Sequence, residues 1–186
     1  MSKRCLIFIS DGTEEMEAVT IIDLLVRSKI QVVKCGVISN NPICSRGVQI
    51  ICDMTCKELG DAEYDIVVLP GGLKGVESFM SSNVVIEFIK RMIKSDKLIC
   101  AICAAPKTLA QHSLYEKDKK MTSYPAFKAE ISEKYQWLDE RVVVDGNLIT
   151  SQGPSTSIDF ALKIIEISMG KVSRDEVAKQ ILHECL

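Results

Sequence analysis

The sequence predicts an α/β domain in which a mainly parallel sheet is covered by helices on both faces. Two observations carry this expectation. Short aliphatic and β-branched runs alternate along the chain with segments whose apolar residues recur at helical spacing, the pattern of successive βα units. Three of the strand-like runs also end on residues suited to a tight turn before a helix, at Asp11-Gly12, at Pro70-Gly71-Gly72 and at Cys103. Ligands of such sheets sit beyond the carboxyl ends of the strands, so these three turns are expected to meet at one crevice. At 186 residues the chain is read as a single domain, residues 1–186, with enough apolar residues for a full core.

The elements follow in order. Arg4–Ile9 is a strand, and Asp11 or Thr13 is expected to cap a helix that runs to about Ser28. Gln31–Val37 is a second strand, and the pieces Ile43–Ser45 and Gln49–Cys52 around Arg46-Gly47 read as a hairpin. The β-branched run Asp65–Leu69 precedes helices over Val76–Met80 and Val84–Ser95. An Ile- and Leu-rich strand then changes at Cys103 into a helix whose first turn accepts Pro106. A short helix near Phe127–Lys134 and an aromatic segment with Tyr135 and Trp137 come next. Asp145-Gly146-Asn147 joins Val142–Val144 to Leu148–Thr150 as a hairpin, and helices over Ser157–Met169 and Arg174–His183 are separated by Gly170.

Charge and hydropathy narrow the function. Lys plus Arg (23) nearly balances Asp plus Glu (25), with no long basic block, so neither a nucleic acid nor an anionic membrane is an expected partner. The first apolar run stops at Ile9, short of a signal core, and no run reaches the ~18 residues that span a bilayer. A cytoplasmic protein is expected, with its eight cysteines mostly reduced and buried. His112 and His183 are the only histidines and form no spaced ligand pair with Cys52 and Cys56, so no metal site is expected.

Cys103 is the candidate nucleophile. A strand-to-helix turn pushes a side chain out of the sheet top and offers it free N–H groups, so this thiol is expected to ionise more easily than a free one. Cys100 falls inside the strand, which argues against a redox C-x-x-C. Gly71 and Gly72 form either a plain turn or a source of backbone N–H groups for an oxyanion beside Cys103. A histidine would be the usual base, but His112 lies nine positions on, roughly 13 Å along a helix axis, and His183 sits near the terminus. The first helix supplies carboxyls instead. Glu17 shares a stripe with Thr20, Ile21 and Leu24, while Glu15 shares one with Val19, Ile22 and Val26. Either carboxyl, held against apolar neighbours, would have a raised pKa suited to proton transfer, and helical periodicity does not choose between them. A first helix apolar on two sides also fits burial against both the sheet and a partner.

Six segments together resemble one family: Lys-Arg-Cys-Leu-Ile-Phe-Ile at 3–9, Glu-Glu-Met-Glu-Ala-Val at 14–19, Cys-Ser-Arg-Gly-Val at 44–48, Val-Val-Leu-Pro-Gly-Gly at 67–72, Ala-Ile-Cys-Ala-Ala-Pro at 101–106, and Thr-Ser-Gln-Gly-Pro-Ser-Thr-Ser at 150–157. The chain resembles the ThiJ/PfpI superfamily, in its parkinsonism-associated deglycase branch, over essentially its whole length. That resemblance implies a flavodoxin-like three-layer sandwich, usually a homodimer. It implies Cys103 as the oxidisable nucleophile, Glu17 as the protonated carboxyl that hydrogen-bonds it, and the Gly72 and Ala104 amides as the oxyanion site.

The activities it implies need no cofactor: a glyoxalase converting methylglyoxal to lactate, or a deglycase acting on glycated protein. The other implied role is a redox-sensing, chaperone-like protector acting through oxidation of Cys103. Two positions depart from the family. Tyr124 stands where a histidine is frequent near the thiol, and a phenol ionising at about 10 is a poor base at neutral pH. Gln152 stands where a near relative has arginine. The superfamily's proteases and amidotransferases need a histidine directly after the cysteine or in a late His-x-Glu pair. Ala104 follows here and no such pair exists, so neither function is expected.

Overall fold

The computed structural model describes residues 3–183, and Cys185 lies outside them. Strands β1 (Arg4–Ile9), β2 (Gln31–Gly36), β3 (Met54–Thr55), β4 (Ile66–Leu69), β5 (Leu98–Ile102), β8 (Val142–Asp145) and β9 (Leu148–Ser151) form one sheet in the order β3-β2-β1-β4-β5-β9-β8. Every neighbouring pair is parallel except β8–β9, the hairpin read from Asp145-Gly146-Asn147. Two further strands, β6 (Lys120–Met121) and β7 (Gln136–Trp137), pair with each other.

Helices cover both faces, and the side-chain alternation of each strand assigns them. Cys5, Ile7 and Ile9 of β1 pack with α1 (Glu15–Arg27), α6 (Ser157–Met169) and α7 (Lys171–Gln180). Leu6 and Phe8 point the other way, toward α2 (Leu73–Ser81), α3 (Asn83–Lys94), α4 (Pro106–Gln111) and α5 (Lys128–Ser132). Phe8 meets Phe88 edge to face at 5.6 Å between ring centroids, a contact that orients α3 on the sheet. β4 and β5 alternate in the same way, which is why these central runs are apolar throughout rather than every second residue. This is the expected flavodoxin-like three-layer sandwich.

The connections set the crevice. From β1 the chain moves outward through β2 and β3, then returns to lay β4 on the other side of β1. The order therefore reverses between β1 and β4, and the turns that leave β1, β4 and β5 share that end of the sheet.

Some expected details differ. Neither Asp11 nor Thr13 caps α1: Asp11 Oδ1 accepts the Ile43 N–H (2.8 Å) and Thr13 Oγ1 accepts the Ser10 N–H (3.0 Å). Both side chains tie down the β1–α1 turn, and the helix starts at Glu15 without a side-chain cap. The expected hairpin around Arg46-Gly47 is one isolated bridge, Ile43 to Gln49, because Glu15 rather than a partner strand takes the Arg46 and Val48 N–H groups. The last helix spans Lys171–Gln180 rather than Arg174–His183, starting directly after Gly170. His112 follows α4 as its C-terminal cap instead of lying within it.

Candidate active site

Cys103 is the first residue after β5, at φ 63°, a left-handed conformation that costs a non-glycine residue about 1–3 kcal/mol unless neighbours enforce it. Neighbours do enforce it. Its N–H donates to Ser151 O (2.9 Å), and its carbonyl accepts the Tyr124 N–H (2.8 Å). The bend leaves the thiol half-buried, whereas the other six cysteines among the described residues are buried.

Glu17 reaches the same place from α1. It is fully buried, and Ile21 and Leu24 on the same stripe are buried with it. Its Oε2 accepts the Gly71 N–H at 2.6 Å, while Oε1 has no hydrogen-bond donor. Burial pushes this carboxyl up to about 7, with the Gly71 N–H and the Cys103 thiol pulling the other way. At neutral pH it is therefore poised between its two protonation states.

Gly71 is what allows the two groups to meet. A Cβ there would lie 2.5 Å from Cys103 Cβ, 2.6 Å from Glu17 Oε2 and 3.0 Å from Cys103 Sγ. Gly72 is a glycine for a second reason: its φ is 88°, and a Cβ would run into Gly12 O and Glu14 N. The sequence offered both glycines as a source of N–H groups and the resemblance selected Gly72; that the Gly71 N–H serves the Glu17 carboxyl instead depends on a contact between segments 54 positions apart.

Cys103 does not behave as an isolated thiol at a helix start. Burial raises it to about 12, helped by the charge of Glu17 and a hydrogen bond to it, while the Gly72 and Ala104 N–H groups favour the thiolate. The expectation of easier ionisation thus fails for the thiol beside an ionised Glu17, since two negative charges in one buried site oppose each other. Protonating Glu17 removes that opposition. The two acids titrate as a pair, and in the singly protonated pair the remaining proton has sulfur and carboxyl as alternative seats.

The alternatives left open by periodicity are resolved by the contacts. Glu15 is a structural anion: burial opposes its charge, but its own backbone, the Ser45 hydroxyl and the Arg46 and Val48 N–H groups hold it below the usual carboxylate range. Ser45 Oγ donates to Glu15 Oε2 (2.7 Å) and Arg46 N–H to Oε1 (2.7 Å). Neither imidazole is near the thiol, because His112 Nε2 sits 2.9 Å from Met80 O and His183 pairs with Asp159 at 3.3 Å. Tyr124 adjoins Cys103 through its backbone, with its half-exposed ring against Phe127. Gln152 Nε2 donates to Asp139 (2.8 Å). Cys100 is fully buried in the core, with its thiol raised by burial, as its place inside the strand implied.

The sequence and the fold resemble those of known proteins. The sequence profile of the DJ-1/PfpI family matches residues 3–167. The chain belongs to the DJ-1/PfpI family. It is 42% identical over 184 residues to protein dj-1beta of Drosophila melanogaster, covering 98% of both chains. The crystal structure of Drosophila melanogaster DJ-1beta superposes with a TM-score of 0.97 at 41% identity, over all of both chains. A second relative is a glutathione-independent glyoxalase, DJR-1.2 of Caenorhabditis elegans, 33% identical over 172 residues and covering 92% of this chain and 91% of that one. A structure described as oxidised Toxoplasma gondii DJ-1 has a TM-score of 0.94 at 33% identity, covering 99% and 100%. Within the DJ-1/PfpI family this chain thus lies beside both a named glyoxalase and a protein captured oxidised.

Proposed function

We propose that this protein is a cofactor-independent glyoxalase that converts methylglyoxal to lactate, with deglycation of protein amino groups as the same chemistry on a larger substrate. The observation that carries the reading is the buried Glu17 carboxyl, with a pKa of about 7, coupled to the Cys103 thiol across a glycine. A base near neutrality can take the thiol proton as sulfur adds to the aldehyde carbon, which gives a hemithioacetal. The oxygen that gains negative charge in that step is met by the Gly72 and Ala104 N–H groups, which already favour charge on the sulfur.

Glu17 then carries the proton from the former aldehyde carbon to the neighbouring carbonyl carbon. The aldehyde is oxidised and the ketone reduced within one molecule, so no external electron carrier enters. Water releases lactate from the resulting thioester and restores the thiol. In a protein with Tyr124 in place of a histidine, proton transfer falls on Glu17. Lactate formation from methylglyoxal by wild type, with loss of at least a hundredfold in Cys103→Ala and in Glu17→Gln, is the expected result. Full rate in either variant overturns the mechanism.

A second reading is supported by exposure: Cys103 is the one half-buried thiol among the described cysteines. Here Cys103 oxidises to a sulfinate beside the protonated Glu17, giving a redox-sensing, chaperone-like protector. Mild peroxide followed by peptide mapping should find two oxygens on Cys103; oxygenation spread over several cysteines would count against it. Both readings place a single-domain protein in the cytoplasm, and the exposed Met16, Val19 and Val26 on α1 favour a homodimer.

A further inference from the structure

Cys35 and Cys56 lie far from Cys103 in the sheet order and take no part in the chemistry above. Cys35 is the first of the two buried residues that end β2, and its register partner on β3 is Met54. Strand β3 is only two residues long, and at Cys56 the chain curls into a single 3-10 turn, Cys56–Glu58. Glu58 fastens that turn by accepting the Thr55 N–H and hydroxyl, each at 2.8 Å. The curl brings the two sulfurs to 3.9 Å across 21 positions of sequence.

We propose that Cys35 and Cys56 are a second redox centre, a dithiol that a hydroperoxide closes to an intramolecular disulfide. An S–S bond is about 2.05 Å, so the sulfurs need to approach by roughly 2 Å. Side-chain rotation and a small movement of the outermost strand supply it, since β3 holds the sheet edge by a two-residue ladder. The pair is also asymmetric. Cys35 is wholly buried, while Cys56 keeps 7% of its surface exposed. The two sulfurs share a hydrogen bond that either thiol can donate; with the fully buried Cys35 as donor it favours charge on the more exposed Cys56 sulfur and holds the Cys35 proton more tightly.

Cys56 is therefore the attacking sulfur. Its thiolate breaks the peroxide O–O bond, becoming a sulfenic acid and releasing hydroxide. The Cys35 thiol then displaces the sulfenic oxygen, forming the S–S bond, and its proton leaves with that oxygen as water. Two thiols lose two electrons, and one peroxide becomes two waters after proton balance. The neighbouring Cys44 and Cys52 compete poorly, because burial pushes both up to about 11. Closure would enclose residues 36–55, the segment that carries Ser45, Arg46 and Val48 onto Glu15. Oxidation would thereby fasten the loop beside the catalytic helix without touching Cys103.

The test uses the full chain carrying Cys103→Ala, so that failure of either reading of Cys103 leaves it unaffected. The protein is treated with equimolar hydrogen peroxide, blocked with N-ethylmaleimide in denaturant, digested without reductant and analysed by mass spectrometry. Trypsin leaves Cys35 with Cys44 in one peptide and Cys52 with Cys56 in the next, so fragmentation must assign the bridge. The expected product is a Cys35–Cys56 link two hydrogens lighter than the reduced peptides, with at least a tenfold fall in alkylation of both residues. Dithiothreitol should reverse it, and Cys56→Ser in the same background should abolish it. Undiminished alkylation of Cys35 and Cys56, or a bridge assigned to Cys44 or Cys52, overturns the proposal.

Discussion

Glu17 holds the residue-scale account together, and its burial has a thermodynamic consequence. Folding raises its carboxyl from the ordinary 4.5 to about 7, so the native state binds the proton more tightly than the unfolded chain does. The stability associated with that proton is fully present below about pH 4.5 and is lost as pH rises through 7. A shift of this size corresponds to about 3 kcal/mol. In urea titrations, wild type is expected to lose about that much between pH 4.5 and 8 relative to Glu17→Gln. Parallel pH profiles for the two proteins would show that the carboxyl is not held against its charge. Cys103 was legible in the sequence because a strand-to-helix turn with Pro106 three positions on is a local pattern. The choice of Glu17 over Glu15 was not legible from periodicity, since both carboxyls sit on partly apolar stripes, and the family resemblance was what selected Glu17. The structure separates them by partners from distant segments, Gly71 for one and the 45–48 turn for the other.

At the scale of elements, the 39–53 excursion is fastened by Asp11 at Ile43, by Glu14 at Ser45 and, at the 45–48 turn, chiefly by Glu15. Glu15 accepts two backbone N–H groups and a hydroxyl from Ser45, Arg46 and Val48, and charge-assisted bonds of this kind contribute about 1.5–3 kcal/mol each. Glu15→Ala should destabilise the protein by about 2–4 kcal/mol, several bonds to one group being less than additive. It should also speed tryptic cleavage after Arg46 by at least tenfold under native conditions. An unchanged cleavage rate would mean that the turn is held by something other than Glu15. The long elements were readable because their apolar spacing extends over several turns or a full strand. Strands β3, β6 and β7 were not, because two residues carry no periodicity and their pairing depends on segments remote in sequence. The Asp11 and Thr13 caps failed for a related reason: a side chain with two available N–H donors takes the one that the tertiary fold brings closer.

For the whole molecule, the strand order and the alternation of each central strand divide the core into two halves, one under α1, α6 and α7 and one under α2 to α5. That architecture was legible from the alternation of strand and helix alone. The antiparallel pairing of β8 with β9 was legible from the hairpin signal at Asp145-Gly146-Asn147, of which Asp145 pairs with Leu148 and Gly146-Asn147 make the turn; the place of β8 at the sheet edge was not. What a single sheet leaves uncovered is the outer side of α1, where Met16 (61% exposed), Val19 (49%) and Val26 (53%) face outward. Sedimentation velocity should give a dimer for wild type and a monomer for Val19→Glu; a monomeric wild type at micromolar concentration contradicts the homodimer.

The joint behaviour of Glu17 and Cys103 is what the whole arrangement of turns serves. Its most direct test is the pH dependence of Cys103 alkylation by a small haloacetamide, measured in wild type and in Glu17→Gln. Glu17 ionises near pH 7, and beside its charge the thiol is held up to about 12, so wild-type reactivity should stay low through neutral pH and rise only toward that value. In Glu17→Gln the opposing charge is gone, and reactivity should rise at a lower pH than in wild type. Coincident profiles for the two proteins would contradict the account, because Cys103 would then be titrating without Glu17.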